Sequence, residues 1–306
     1  MQKDFLELIR RASCDLPTDV IRVIKQGRNA EAKGSPSRSA LDDVLENCDL
    51  ASRTSRPICQ DTGTNIWYVH HPRSVSQAAL TRDIIAATRK ATRLAYLRPN
   101  AVDSITGKNS GDNTGPGAPV IHFHEWSKKS LVADLMLKGG GSENVSAQYS
   151  LPNGAIGAGR DLEGIRRVVV DAVFNAQGKG CGPGIIGVGV GGDRATSMIE
   201  AKEQLFRLVN DKNPDPVLAK LEKTLLAQCN KLGIGPMGFG GSTTVLGVKI
   251  GARHRLPASF FVSIAYLCWA ARRASVSIAG GRATYSQISQ QAMKYKLPAA
   301  AARKGR

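Results

Sequence analysis

The chain has 306 residues, 42% of them hydrophobic, so it is long enough to bury a substantial core in one or two domains. No apolar run approaches the length of a membrane-spanning helix, and residues 1–11 have the pattern of an amphipathic helix rather than a secretory signal. The formal net charge is +17, but only 5% of residues are aromatic and no basic run is interleaved with stacking side chains. We therefore expect a cytoplasmic protein with a solvated basic surface, and neither a membrane nor a nucleic-acid partner.

The hydrophobic pattern predicts a mixed α and β (α+β) fold without the regular alternation of a doubly wound sheet. Helices are predicted within 1–52 and over 76–96, 162–177, 195–208 and 216–232. Strands are predicted over 66–69, 120–124, 131–137, 185–190, 245–250 and 260–266, with 120–124 and 131–137 paired across a polar turn. We interpret 1–298 as one domain and 299–306 as a disordered basic tail.

The chain contains 32 glycines, a number that helices and strands alone do not explain. The glycines are concentrated over 107–117, 139–141, 178–192 and 233–251. Glycine permits positive φ and the close approach of backbone to a ligand. These stretches are therefore candidate site loops, with tight turns as the alternative.

Six cysteines are present, and no C-x-x-C pair supports a zinc ribbon. Cys14 and Cys48 lie in helical patterns and are interpreted as small core residues, whereas Cys229 is placed on a polar helix face without a role. The other three lie in distinctive settings: Cys59, Cys181 and Cys268. Their spacing alone leaves open a shared metal site or unrelated buried thiols.

The motifs around these cysteines resemble those of the class I fumarases and tartrate dehydratases, in the order of that family and over roughly residues 15–275. The motifs are Pro57-Ile-Cys-Gln-Asp-Thr-Gly63, Ser110-Gly-Asp-Asn-Thr114, Lys138-Gly-Gly-Gly-Ser-Glu-Asn144, Gly187-Val-Gly-Val-Gly-Gly-Asp193, Leu232-Gly-Ile-Gly-Pro-Met-Gly-Phe-Gly-Gly241 and Cys268-Trp-Ala-Ala-Arg-Arg273. One departure is Cys181-Gly-Pro183, where many relatives have Cys-Pro-Pro.

The resemblance implies a single iron–sulfur-cluster domain of the class I fumarase type. It implies that Cys59, Cys181 and Cys268 hold a [4Fe–4S] cluster. Three thiolates leave one iron open to a hydroxy acid, and that iron would act as a Lewis acid in the removal or addition of water.

The resemblance also gives roles to residues around the cluster. Asp61 is the predicted acid–base or hydroxyl-orienting catalytic group, although an Asp in this turn could instead cap a helix or close an Asx-turn. Gln60 and Arg98 are predicted to bind substrate carboxylates, with surface solvation the alternative for Arg98. The backbone of Gly140 and Gly141 is predicted to face cluster or substrate. His254 is a second catalytic candidate, although its spacing differs from that of the family by about two residues.

Single-chain class I fumarases continue into a second domain that this sequence does not resemble after Arg273. The resemblance therefore implies the α subunit of a heteromer, αβ or α2β2, whose β chain completes the site. The predicted reaction is the reversible hydration of fumarate to L-malate in the tricarboxylic acid cycle, on a small dicarboxylate and with oxygen sensitivity. Dehydration of L(+)-tartrate to oxaloacetate and hydration of mesaconate are alternatives. A non-enzymatic iron–sulfur sensor is an alternative of another class.

Overall fold

The computed structural model describes residues 1–287 and residue 289. Within these residues the chain forms two compact units. Unit 1 contains Met1–Ile21, Asp42–Gly140 and the segment from Ala270 onward, whereas unit 2 contains Arg22–Leu41 and Gly141–Trp269. The single domain predicted over 1–298 stays a prediction, and the predicted tail over 299–306 lies outside the described residues.

Unit 1 is built on a five-stranded sheet of order β2-β1-β3-β8-β9, in which only β1 and β2 are parallel. Its strands are β1 (Thr64–Pro72), β2 (Val120–Trp126), β3 (Leu131–Lys138), β8 (Arg272–Ala279) and β9 (Arg282–Ser286), and its helices include α1 (Gln2–Cys14) and α4 (Gln77–Arg93). Helices α2 (Thr18–Ala30) and α3 (Pro36–Thr54) each contribute residues to both units.

Strand β1 lies between β2 and β3, so the prediction that residues 120–124 and 131–137 pair with each other was wrong. Trp67 and Val69 of β1 pack in an apolar core with Phe5 of α1 and Ile84 of α4. This core packs helices α1 and α4 against strand β1 of the sheet. The Asp61 turn immediately precedes that strand.

Unit 2 contains a four-stranded sheet of order β4-β7-β5-β6. Its strands are β4 (Ala147–Ser150), β5 (Gly184–Val190), β6 (Val245–Ala252) and β7 (Phe261–Leu267), and its helices are α6 (Leu162–Ala176), α7 (Arg194–Gln204) and α8 (Pro216–Lys231). The short helix α5 (Gly140–Asn144) begins with Gly140 of unit 1 and continues in unit 2. Apolar residues of α6 and α8 share one core with Val188 of β5 and Ile264 of β7. Cys229 is fully buried in this core, so its assignment to a polar helix face was wrong.

The Gly187-Val-Gly-Val-Gly run brings α7 directly onto the backbone of β5. A Cβ added at Gly187 would lie 2.1 Å from the Ala201 carbonyl oxygen, and one at Gly189 would lie 2.0 Å from the Ser197 carbonyl oxygen. No side chain fits at either position. The physical reason for these two glycines is therefore helix–strand packing, rather than the ligand contact expected from the cluster 178–192.

The mixed α and β fold class is confirmed, and most helices lie close to their predicted positions. Helix α7 ends at Gln204, earlier than predicted, and strands β4, β8 and β9 were not predicted. Cys14 and Cys48 are buried, as expected of core residues. None of the helices in the described part of the chain is both long and apolar enough to cross a bilayer.

Candidate active site

The carboxylate of Asp61 is fixed by backbone amides on both of its oxygens. Oδ1 accepts a hydrogen bond of 3.0 Å from the N–H of Gly63, which closes an Asx-turn, and Oδ2 accepts one of 2.7 Å from the N–H of Gly140. Gly63 has φ of +80°, and a Cβ there would lie 2.8 Å from the backbone of Lys138. Only glycine allows this turn to lie against β3. The Asx-turn alternative is thus correct, but it accounts for only one of the two carboxylate oxygens.

Arg98 is exposed, and its side chain and backbone both contact the same turn. Its Nη1 donates to the carbonyl oxygen of Gln60 at 3.2 Å, and its backbone N–H donates to Oγ1 of the buried Thr62 at 3.2 Å. Asn113 of the Ser-Gly-Asp-Asn-Thr motif fixes the Arg98 loop by donating to the Arg98 carbonyl at 2.7 Å. Exposed guanidinium and amide groups of Arg98 and Gln60 therefore lie beside the Asp61 turn, in an arrangement that can bind a carboxylate.

Arg272 was not given a role from the sequence, yet it contacts the Asp61 turn directly. Its side chain is buried at the start of β8, and Nη1 donates to the carbonyl oxygen of Asp61. Its Nη2 lies 3.5 Å from the position of a Cβ on Gly139. The sequence does contain a signal for this contact, which is a pair of arginines at the start of an apolar strand. A guanidinium that is buried there requires a hydrogen-bond acceptor nearby.

A cavity of about 320 Å³ opens beside Asp61 within unit 1. Its lining includes polar side chains and the backbone of two glycines: Asp61, Asn65, Asn100, Asn113, Gly63 and Gly140. A volume of this size accommodates a small organic acid or part of one.

Cys181 and Cys268 lie on neighbouring segments of unit 2. The N–H of Trp269 donates to the carbonyl oxygen of Cys181 at 3.2 Å, which joins the residue after Cys268 to the Cys181 turn. Cys181 follows the 3₁₀ turn Gln177–Gly180 and has φ of +54°, a left-handed conformation that is uncommon for a residue with a side chain. This conformation is typical of strained functional positions.

Tyr266 lies beside both of these cysteines. Its ring fills the space left by the glycines around Cys181, since a Cβ on Gly180 would lie 2.6 Å from the ring and one on Gly184 2.4 Å from it. Burial, followed by the Cys268 and Cys181 thiols, raises the pKa of Tyr266 well above its ordinary value.

All six cysteines are thiols, and the structure separates them by environment. Burial raises the pKa of Cys14 and Cys48 to about 11 and that of Cys229 to about 12. In each of these three side chains burial disfavours the thiolate form. Cys59 and Cys181 are partly exposed, and Cys268 is 8% exposed.

His254 and Gly141 belong to unit 2, like Cys181 and Cys268. His254 is exposed and lines a cavity of about 360 Å³ with Gly192, Asp193 and Arg255. Gly141 would place a Cβ 3.7 Å from the carbonyl oxygen of Lys179, near the Cys181 turn. The predicted site residues thus form one group around Asp61 in unit 1 and a second set in unit 2.

No group of three or more His, Cys, Asp or Glu side chains is arranged to hold a metal ion among residues 1–287 and 289. The donors of unit 2 are nevertheless suited to a soft metal centre. Cys181 and Cys268 are free thiols, and a backbone hydrogen bond from the N–H of Trp269 to the carbonyl oxygen of Cys181 joins their segments. Thiolates are the ligands that iron–sulfur clusters require.

Comparison with known proteins identifies the family. The model of the fumarate hydratase (Fumerase) family matches residues 2–277, which is nearly the whole described chain. The chain therefore belongs to the fumarate hydratase family. The sequence resemblance to class I fumarases and tartrate dehydratases is confirmed.

Individual relatives carry two kinds of name. The chain is 49% identical to "Putative fumarate hydratase class I" of Geobacillus stearothermophilus, over 91% of this chain and 55% of that protein. It is 36% identical to "Putative L(+)-tartrate dehydratase subunit alpha" of Methanocaldococcus jannaschii, over 88% of this chain and 94% of that protein. It is 29% identical to "L(+)-tartrate dehydratase subunit alpha" of Escherichia coli (strain UTI89 / UPEC), over 87% and 86%. The chain spans about half the length of the Geobacillus relative and most of the length of the other two.

Proposed function

We propose that this chain is the α subunit of a hydro-lyase that interconverts fumarate and L-malate. The observation that carries the proposal is the Asp61 carboxylate, held by two backbone amides beside a cavity and next to the exposed Arg98 and Gln60. An oriented carboxylate beside a guanidinium is what proton transfer at the carbon next to a bound carboxylate requires. The chain's membership of the fumarate hydratase family supports the reaction class.

In this proposal each residue of unit 1 has a separate task. Asp61 holds or moves a proton at the substrate, since both of its oxygens are fixed by amides and it lines the cavity. Arg98 and Gln60 bind a carboxylate. Arg272 is a positioning residue, because it contacts the Asp61 carbonyl and is itself buried. His254 is proposed as a second proton-transfer group, from its exposed position beside a cavity.

The residues that would hold the [4Fe–4S] cluster are Cys59, Cys181 and Cys268. When bound, the cluster supplies a Lewis-acidic iron that weakens the bond between carbon and hydroxyl. The other three cysteines, Cys14, Cys48 and Cys229, are buried side chains and are given no ligand role.

We propose that a separate β subunit completes the enzyme, as a heterodimer or an α2β2 assembly. Support comes from the names of two relatives, of which the chain covers 94% and 86%: both are named as α subunits. The same relatives favour a second candidate substrate, L(+)-tartrate. Mesaconate is a third, since it differs from fumarate by one methyl group, which a pocket discriminates only modestly.

The decisive experiment is anaerobic co-expression of this chain with its candidate β chain. Iron and acid-labile sulfide are then measured, followed by hydration and dehydration assays with fumarate, L-malate, L(+)-tartrate and mesaconate. We expect iron and sulfide in the anaerobic complex and activity that is lost in air. A complex that contains neither iron nor sulfide, or that acts on none of these acids, would overturn the proposal.

Serine variants test the three ligands one at a time. Cys59→Ser, Cys181→Ser and Cys268→Ser should each lower the iron content and reduce turnover by at least a hundredfold. Cys48→Ala is the matched control, since Cys48 is buried in a helix and should leave the iron content unchanged. If the iron content of a ligand variant equals that of the control, that cysteine is not a ligand.

A further inference from the structure

Tyr266 is a buried tyrosine near the end of β7, and its hydroxyl group has no partner in the described part of the chain. The residue is 2% exposed and packs in the core of unit 2. Its backbone N–H donates to Oγ of Ser146 at 3.1 Å, but none of the described residues is hydrogen-bonded to the hydroxyl group. The hydroxyl oxygen retains some accessible surface, unlike Oδ1 of Asn65, which is closed to solvent. Phenylalanine would fill the same core position, so the hydroxyl group requires an explanation.

The register of the unit 2 sheet brings this hydroxyl group to Cys268. Strands β5 and β7 are antiparallel, and Ile185 lies opposite Leu267, so Gly184 and Cys268 follow as the next neighbours. The Cβ positions of two such opposed residues are about 4.5–5.5 Å apart. A Cβ on Gly184 would lie 2.6 Å from the hydroxyl oxygen of Tyr266. The hydroxyl group therefore lies beside Cys268, whose side chain shares a face with Tyr266 because the two residues are two positions apart.

The same hydroxyl group lies against the Cys181 turn. A Cβ on Gly182, the residue after Cys181, would lie 3.2 Å from the hydroxyl oxygen of Tyr266. The N–H of Trp269, the residue after Cys268, donates to the carbonyl oxygen of Cys181 at 3.2 Å. The two cysteine segments of unit 2 thus converge beside one phenol that has a hydrogen bond to donate.

We propose that Tyr266 is a positioning residue of the metal centre, whose hydroxyl group donates a hydrogen bond to the thiolate sulfur of Cys268 when the cluster is bound. The inference rests on the proposed function and deepens it, because it names a residue that tunes one of the proposed ligands. A neutral thiol is a weak acceptor, whereas a thiolate carries the charge that an O–H donor requires. A hydrogen bond to a ligand sulfur stabilises the more negative, reduced cluster and so raises its reduction potential.

The test compares Tyr266→Phe with the wild type in the anaerobically assembled complex with its β chain. Phenylalanine keeps the ring and removes only the hydroxyl group, so the iron and sulfide contents should stay at the wild-type level. The reduction potential, from a redox titration followed by electron paramagnetic resonance, should fall because the reduced state loses one hydrogen bond. We expect about a tenfold change in the reduction equilibrium constant, which corresponds to about 59 mV for one electron.

Tyr149→Phe is the matched control for this variant. It removes a hydroxyl group of the same unit that donates to Asp171 at 2.8 Å, so it should leave the potential unchanged. An unchanged potential in Tyr266→Phe, or equal shifts in the two variants, would overturn the inference. If Tyr266→Phe contains less iron than the wild type, the potential of its remaining clusters still decides, because a potential does not depend on occupancy.

A failure of the proposed function gives a different result from a failure of this inference. A wild-type complex that contains iron and sulfide but acts on none of the acids tested overturns the proposed reaction, and the potentials still decide the role of Tyr266. A complex that contains neither iron nor sulfide overturns both.

Discussion

The N–H of Gly140 donates a 2.7 Å hydrogen bond to Oδ2 of Asp61, and this contact joins two motifs that are far apart in the sequence. Gly140 follows β3, whereas Asp61 precedes β1, and these strands are antiparallel neighbours in the sheet of unit 1. Because the end of one strand lies beside the start of the other, the sheet itself brings the glycine amide to the carboxylate. The Lys-Gly-Gly-Gly and Cys-Gln-Asp-Thr-Gly motifs thus form one structural element.

Gly139→Ala should displace the Asp61 carboxylate. A Cβ at this position would lie 2.9 Å from Oδ2, which forces the carboxylate to move by a few tenths of an ångström or more. We expect kcat/KM to fall by about 10- to 100-fold, because small misplacements of catalytic groups have effects of this size. Steady-state kinetics of the assembled complex measure it. Gly154→Ala, where the Cβ meets no atom within 4 Å, should leave the kinetics unchanged.

Gly184→Ala should disturb the Cys181 region through the ring of Tyr266. The added Cβ would lie 2.4 Å from the ring carbon that carries the hydroxyl, and neither the ring nor β5 can move freely in the core. We expect a loss of about 1–3 kcal/mol in the free energy of unfolding and a lower iron content after reconstitution. Both effects should be partly relieved by Tyr266→Leu in the double variant. Full additivity of the two substitutions would contradict the steric explanation.

Glu31→Gln should destabilise unit 2 in a way that depends on pH. The Glu31 carboxylate accepts hydrogen bonds from the N–H groups of Ser242 and Thr243 and from the Ser242 hydroxyl. Burial acts to raise the pKa of Glu31, but these hydrogen bonds outweigh it and hold the pKa below its ordinary value of 4.5. The carboxylate therefore stabilises the fold above pH 4.5, and this contribution is lost as the pH falls through the lower folded pKa.

Urea unfolding of wild type and Glu31→Gln over a pH series measures this effect. We expect a difference of about 1–3 kcal/mol at pH 7 that shrinks as the solution is acidified below pH 4.5. Glu46→Gln, at an exposed position of α3, should show no such difference. A difference that is independent of pH would mean that the charge of Glu31 is not what holds the 241–243 loop.

Arg207→Met should strongly destabilise unit 2. Arg207 is fully buried and pairs with Asp211 at 2.8 Å and with Glu222 at 2.7 Å. Removal of the guanidinium takes the positive charge away from the carboxylates of Asp211 and Glu222. We therefore expect the free energy of unfolding to fall by about 3–5 kcal/mol. Denaturant unfolding followed by circular dichroism measures it. Arg53→Met, which breaks the exposed pair with Asp49, should change stability by less than about 1 kcal/mol. Equal effects of the two variants would contradict this explanation.

The sequence was most informative where a motif is a local structural unit. The Asp61 turn could be predicted because Asp, Thr and Gly specify it within three residues, and the mixed fold class followed from hydrophobic periodicity. The partnership of Arg98 with the Gln60 carbonyl could not be predicted, since it depends on how the loop after α4 returns to the turn. The pairing of β2 and β3 was wrong because proximity in sequence favoured a hairpin, whereas β1 lies between them.

Arg272 and β8 were missed for a related reason. Strand β8 reads Arg-Arg-Ala-Ser-Val-Ser-Ile-Ala, and its centre does alternate between apolar and polar residues. The strand begins with two arginines, which sequence reasoning does not assign to a core, and both are buried by contacts made far along the chain. Tyr266 gave no signal either, since a hydroxyl group without a partner among the described residues becomes apparent only when every neighbour is placed. Long-range packing determines both of these features.

The interleaved path of the chain has a consequence for its synthesis. All four strands of the unit 2 sheet lie within residues 147–267, whereas the unit 1 sheet takes β1, β2 and β3 before that stretch and β8 and β9 after it. On the ribosome, β3 therefore emerges long before its neighbour β8 exists. The sheet begun first is completed last, and a fragment that stops near residue 269 would expose an unpaired edge of β3 to aggregation.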